Sequence, residues 1–235
     1  MLNTKQIEYY DGHSLLQGYC AYQDDTKEKR PVILVAHDWS GQNEFARKKA
    51  DLLASLGYIG FAIDMYGEGK VGQTKEEKMA FMQPLMADRQ LLQKRILAAY
   101  QVAKEFELSN QLIGAIGFCF GGLCALDLAR SGAAVQAIVS FHGLLQAPEN
   151  NQQAISAKVL ALHGYDDPMV NSEQMLQFAN EMTEKKVDWQ LHLYGNTMHA
   201  FTNPEANDPS FGTVYNSLAD TRSWIAMRDF FAEVF

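Results

Sequence analysis

Ile113-Gly114-Ala115-Ile116-Gly117-Phe118-Cys119-Phe120-Gly121-Gly122-Leu123-Cys124-Ala125-Leu126 is an apolar run that stops at a turn and restarts as a helix. Up to Phe118 it reads as a buried strand, because it is too short and too interrupted by glycine to cross a membrane. From Leu123 to Arg130 it carries helix formers. Between the two lies Gly117-Phe118-Cys119-Phe120-Gly121, a G-x-nucleophile-x-G pattern with cysteine at its centre. A strand that turns this sharply into a helix needs glycine on both sides of the central residue, since a Cβ there would strike neighbouring backbone. The turn leaves one side chain raised at a helix N-terminus, where unpaired N–H groups and the helix dipole favour a thiolate. Cys119 is therefore a candidate nucleophile. A buried packing cysteine is the alternative that the rest of the chain must outweigh.

Working outward, Pro31-Val32-Ile33-Leu34-Val35-Ala36 is six apolar residues without alternation, the mark of a strand covered on both faces. Tyr58 to Ile63, Val135 to Phe141 and Ala157 to Leu162 read the same way, and Asp188 to Tyr194 alternates. Glu44 to Leu56 has helical spacing and stops at Gly57. Lys75 to Phe106 reads as helix bent or broken near Pro84, and Ser172 to Glu184 and Val214 to Phe235 as further helices. Gln6 to Tyr10 and Leu15 to Tyr22 are β-rich pieces joined by Asp11-Gly12, a hairpin signal. Asp24 to Arg30 is a charged surface turn, and Gly67 to Gly72 a flexible loop. This alternation predicts an α/β fold over residues 1–235 as a single domain, a mostly parallel sheet with helices on both faces and an N-terminal antiparallel hairpin at one edge. Ligand sites in such sheets lie beyond the carboxyl ends of the strands, which selects the loops 37–41, 117–121, 142–148, 164–170 and 195–203.

Composition bounds the partners. The chain has 235 residues, 47% apolar and 20% charged, with a formal charge of −8. No basic surplus exists to neutralise phosphates, so neither nucleic acid nor an anionic membrane is an expected partner. The three cysteines, Cys20, Cys119 and Cys124, suit a reducing compartment better than a disulfide framework. With no secretory segment at Met1 to Gln6 and no run of ~18 to 20 apolar residues, a soluble cytoplasmic protein is expected.

The selected loops hold what acyl transfer needs: a base for the thiol proton and a partner that fixes the base's tautomer. His199 lies in Gly195-Asn196-Thr197-Met198-His199, after the last strand. Asp167 lies in Gly164-Tyr165-Asp166-Asp167-Pro168, after the preceding one, with Asp166 as its competitor. Each alone is an ordinary loop residue, but the order nucleophile, acid, histidine is that of the α/β-hydrolases. His37, His142 and His163, each at a strand end, read as packing or hydrogen-bonding histidines.

Over nearly its whole length, from Pro31–Ala36 through the Gly117–Gly122 elbow to Gly195…His199, the chain resembles the dienelactone hydrolase family of α/β-hydrolases, which are carboxymethylenebutenolidase-like. The cysteine elbow carries most of that resemblance, because most α/β-hydrolases have serine there. The resemblance implies a carboxylic ester hydrolase with the triad Cys119, Asp167 and His199, acting on a small ester or lactone without a cofactor or metal, as a monomer or weak homodimer. It also places Asp38, one methylene shorter than the family's glutamate, beside the thiol. There a like charge would disfavour thiol ionisation until substrate arrives. The oxyanion hole maps to the backbone N–H groups of Trp39 and Phe120. Where family members that cleave dienelactones hold a substrate carboxylate with an arginine four residues beyond the histidine, this chain has Asn203, and Thr74 to Lys78 offers mixed charge in place of a basic clamp.

Four other readings compete. A dinucleotide-binding oxidoreductase would need G-x-G-x-x-G, which Gly114…Gly117…Gly121-Gly122 does not supply. A metal-dependent hydrolase would need H-E-x-x-H or a close ligand pair, which the six histidines do not form. A thiol redox protein and a catalytically inactive hydrolase-like binding protein share every feature above.

Overall fold

The structure, a computed structural model, describes residues 1–24, 28–149 and 151–235. Part of the surface turn expected at Asp24 to Arg30 lies outside the described residues. Eight strands form one sheet in the order β1-β2-β4-β3-β5-β6-β7-β8. β1 (Leu2–Tyr10) and β2 (Leu15–Gln23) are the antiparallel hairpin, and β2 runs antiparallel to β4 (Ile59–Ile63). From β4 through β3 (Arg30–Ala36), β5 (Ser109–Phe118), β6 (Ala137–Phe141) and β7 (Lys158–Gly164) to β8 (Trp189–Tyr194), every pairing is parallel.

Residues of β3 show why the unalternating runs form strands. Val32, Leu34 and Ala36 point into one apolar cluster, Ile33 and Val35 into the other, and all five are fully buried. The first cluster is closed by α3 (Arg89–Glu105), α4 (Phe120–Arg130) and α5 (Ser172–Glu184). On the opposite face the second is closed by α1 (Glu44–Ser55) and α6 (Ser217–Val234). All the parallel strands therefore end at the same edge, and their loops converge there.

Three expectations need correction. The long helix over 75–106 is two: α2 (Lys75–Ala87) keeps Pro84 inside it, and the break falls at Asp88, whose carboxylate accepts the Gln90 and Leu91 N–H groups and starts α3. The last helix begins at Ser217, capped by Asn216, and not at Val214. Ahead of it, β9 (Asn207–Asp208) and β10 (Thr213–Val214) pair as a small hairpin. The glycine-bearing loop after β4 is pinned, because the buried Asp64 carboxylate accepts the N–H groups of Gln17, Tyr66, Gly67 and Gly69 at 2.8–3.0 Å. The elbow helix is not among them: it starts at Phe120, so Cys119 stands at its N-terminus as expected.

Candidate active site

Cys119 is the single residue between β5 and α4, and it sits at φ 55°, ψ −118°. A non-glycine residue in that region costs about 1–3 kcal/mol, so its surroundings must hold it there. They do: its N–H is shared between the Phe141 carbonyl and His142 Nδ1, each at 3.1 Å. A Cβ on Gly117 would overlap the Gly121 carbonyl, and one on Gly121 the Ala36 carbonyl, so both flanking glycines are dictated by close approach. The Cys119 side chain makes no capping bond to α4 and lines a cavity of about 380 Å³. Cys20 and Cys124 are buried in the core, and burial pushes the Cys20 thiol up to about 12.

The loops after β7 and β8 bring Asp167 and His199 together. Asp167 Oδ2 lies 2.7 Å from His199 Nδ1 and 3.3 Å from His163 Nε2, and Oδ1 accepts the Met169 N–H at 2.8 Å. Burial would raise the Asp167 carboxyl, yet the two histidines hold it well below the usual carboxylate range. Asp166 is exposed to solvent, so it is Asp167 that meets the histidine. His199 is 1% exposed, and β10 clamps its backbone: its N–H donates to Gly212 O, and its carbonyl accepts from the Val214 N–H, both at 3.0 Å. Its other ring nitrogen, Nε2, is buried without a hydrogen-bond partner, while the ring lines the same cavity as Cys119. Burial would lower the His199 pKa, but once the thiol has ionised the charge of the Cys119 thiolate, with the Asp167 hydrogen bond, raises it to about 10 and keeps the transferred proton on the ring.

Asp38 and Trp39 follow β3, and both line the cavity. Asp38 is buried, with Oδ1 accepting the Ser40 N–H at 2.8 Å. The Trp39 ring stacks on Phe211 of the β9–β10 hairpin at 5.6 Å, so the side chain packs over the site as a large cover. Among the described residues, the backbone N–H groups of Trp39 and Phe120 have no intramolecular acceptor. Met79, Met82 and Lys78 of α2 form the outer wall, and Asn203 lines the cavity where the family resemblance puts an arginine.

His37 is a satisfied core histidine, with Nε2 accepting the Met65 N–H at 3.2 Å and Nδ1 2.5 Å from Asp38 O. His142 and His163 also make hydrogen bonds or ion-pair contacts, but they touch the site directly, through Cys119 and Asp167, which sequence reading missed. Their only signal was position, each at the carboxyl end of a central strand. Among the described residues no three His, Cys, Asp or Glu side chains cluster as metal ligands, and no helix is long and apolar enough to cross a membrane.

This arrangement can take a proton from a thiol and hold the resulting imidazolium against a carboxylate. Comparison with known proteins gives consistent findings. Residues 16–235 match the model of the dienelactone hydrolase family. A solved dienelactone hydrolase-like promiscuous phosphotriesterase from metagenomic libraries is 34% identical, with a TM-score of 0.95 over 100% of this chain and 99% of that one. A structure named m3DLH is 38% identical, with a TM-score of 0.94 over the same shares. The carboxymethylenebutenolidase of Pseudomonas putida is 26% identical over 83% of this chain and 84% of its own.

Proposed function

The chain belongs to the dienelactone hydrolase family, and from that premise we propose that residues 1–235 act as one hydrolase unit that opens a small ester or lactone through a Cys119 thioester. The observation that carries this reading is the buried, unpartnered His199 Nε2 beside a raised cysteine, with Nδ1 tied to Asp167. A buried polar atom without a partner costs about 1–3 kcal/mol. A proton travelling between sulfur and substrate supplies that partner.

Asp167 fixes Nδ1 as the donor, which leaves Nε2 to accept the thiol proton. The thiolate then attacks the carbonyl carbon, and the carbonyl electron pair moves to oxygen, facing the N–H groups of Trp39 and Phe120. On collapse the C–O bond breaks, and the leaving alkoxide takes the proton from His199 Nε2. In a lactone that alkoxide stays attached to the acyl chain. Water then gives its proton to Nε2 and attacks the thioester, and the departing thiolate recovers the proton as the acid is released. Asp38 lines the same cavity, where its carboxylate would repel a thiolate formed on Cys119.

Steady-state turnover of p-nitrophenyl acetate and of a neutral five-membered lactone tests the reading. Both are expected to be hydrolysed by the natural enzyme and neither by Cys119→Ala. Turnover that survives Cys119→Ala overturns the nucleophile assignment. Thiol oxidation by peroxide without any ester turnover would favour a redox protein.

A further inference from the structure

His142 is a buried histidine that the cycle above leaves unused, and it stands between its two central members. It is 2% exposed and itself sits at φ 40°, so its place is bought with backbone strain. Its Nδ1 lies 3.1 Å from the Cys119 backbone nitrogen, and its Nε2 lies 2.8 Å from Thr202 Oγ1. An amide can only donate, so Nδ1 must be the bare nitrogen and Nε2 must carry the hydrogen, given to the threonine hydroxyl. The ring meets His199 edge-on at 5.1 Å and is boxed by Phe201 at 5.1 Å and Phe118 at 6.1 Å.

We propose that neutral His142 is a positioning residue for the nucleophile: its Nδ1, aimed by Thr202, holds the Cys119 backbone in the left-handed conformation that presents the sulfur to His199. Two consequences follow from the geometry. A protonated His142 would set an N–H against the Cys119 N–H and release the elbow. It would also place a positive charge against His199 during the half of the cycle in which that ring is an imidazolium. The groups facing His142 decide which state prevails. Burial and the charges of His199, His163 and Lys49 all oppose a proton on it, Asp167 alone favours one, and the balance holds the ring well below the ordinary histidine range.

The inference rests on Cys119 being the nucleophile, and the experiment separates the two. His142→Asn keeps an acceptor near the Nδ1 position, whereas His142→Leu fills the same space without one. With p-nitrophenyl acetate, His142→Leu should lose about 10- to 100-fold in kcat with KM nearly unchanged, the range of one to two hydrogen-bond equivalents. His142→Asn should recover most of that loss. A packing role predicts the reverse order, with leucine at least as active as asparagine, and would overturn the proposal. Should either variant fail to fold, nitrogen-15 imidazole shifts of the natural protein decide the matter without any substitution. His142 should show a bare Nδ1 and a protonated Nε2 between about pH 5 and about pH 8. A protonated Nδ1 in that range contradicts the proposal, whatever the outcome of Cys119→Ala, which bears on the nucleophile alone.

Discussion

Two helices flank the site, α4 starting next to Cys119 and α2 lining the cavity, and they are held in opposite ways. All eleven residues of α4 are buried, from Phe120 at the elbow to Arg130, whose guanidinium is locked onto Asp127 and Glu181. Of the thirteen residues of α2, only Leu85 is buried, and its first turn is fastened to the β9–β10 hairpin by the exposed Lys75–Asp208 ion pair and by Lys75 over the Phe211 ring. Cavities and unpaired charges in a dry core are expensive, whereas exposed pairs contribute little. The difference teaches that the floor, next to the sulfur, tolerates almost no change, while the wall, which lines the cavity, can be altered at small cost. Chemistry is thereby separated from choice of substrate.

The division breaks if substitutions on the floor prove mild or those on the wall prove severe. Asp167→Asn should act most strongly, lowering kcat by about 10³-fold or more, because it removes the acceptor that fixes the His199 tautomer. It should also cost stability in a pH-dependent way. The Asp167 carboxyl lies below its ordinary 3.8 when folded, so its contribution is fully present above about pH 4 and is lost as pH falls through the folded value. Urea unfolding should show the gap between the natural protein and Asp167→Asn narrowing as pH drops below 4. A gap that widens there contradicts the assigned direction.

A smaller effect is expected at the rim of the floor. Asp38→Ala should make Cys119 more readily alkylated by iodoacetamide near neutral pH, by several-fold, since a neighbouring like charge is removed. An unchanged or slower rate would show that Asp38 serves the loop through its Ser40 bond alone. On the wall, Met79→Ala should raise KM for an aryl ester about threefold and leave kcat within about twofold, the signature of lost uniform binding. Lys75→Ala should change least: turnover within about twofold and an unaltered melting midpoint, because both members of its ion pair with Asp208 are solvent-exposed. A collapse of activity in Lys75→Ala would move α2 into the chemistry and dissolve the comparison.

The floor was also the legible part of the chain. Gly117 and Gly121 announce the elbow because close backbone approach admits only glycine. The runs at 31–36 and 113–118 announce a sheet covered on both faces because neither alternates. Asp167 was separable from Asp166 by its place before Pro168, and the structure seats Asp167 against His199. The wall was not legible. Pro84 drew the expected break toward itself, but the helix carries it and the capping carboxylate of Asp88 ends the run four residues later. The β9–β10 hairpin is two residues on each strand, too short for any period, and its Thr213 also pairs with His199, a contact between distant parts of the chain. His142 and His163 became site neighbours through contacts that arise only once the strands are laid side by side, and no local pattern encodes that.

The central claim is a covalent acyl group on one sulfur, and rapid quenching with intact-mass detection tests it most directly. Mixed with p-nitrophenyl acetate and stopped in acid within the first turnover, the protein should gain one acetyl mass located at Cys119 and lose it over the following turnovers. The same experiment on Cys119→Ala should show no gain. Release of p-nitrophenol at the full rate with no added mass at any time, or an acetyl group carried on another residue, would contradict the account.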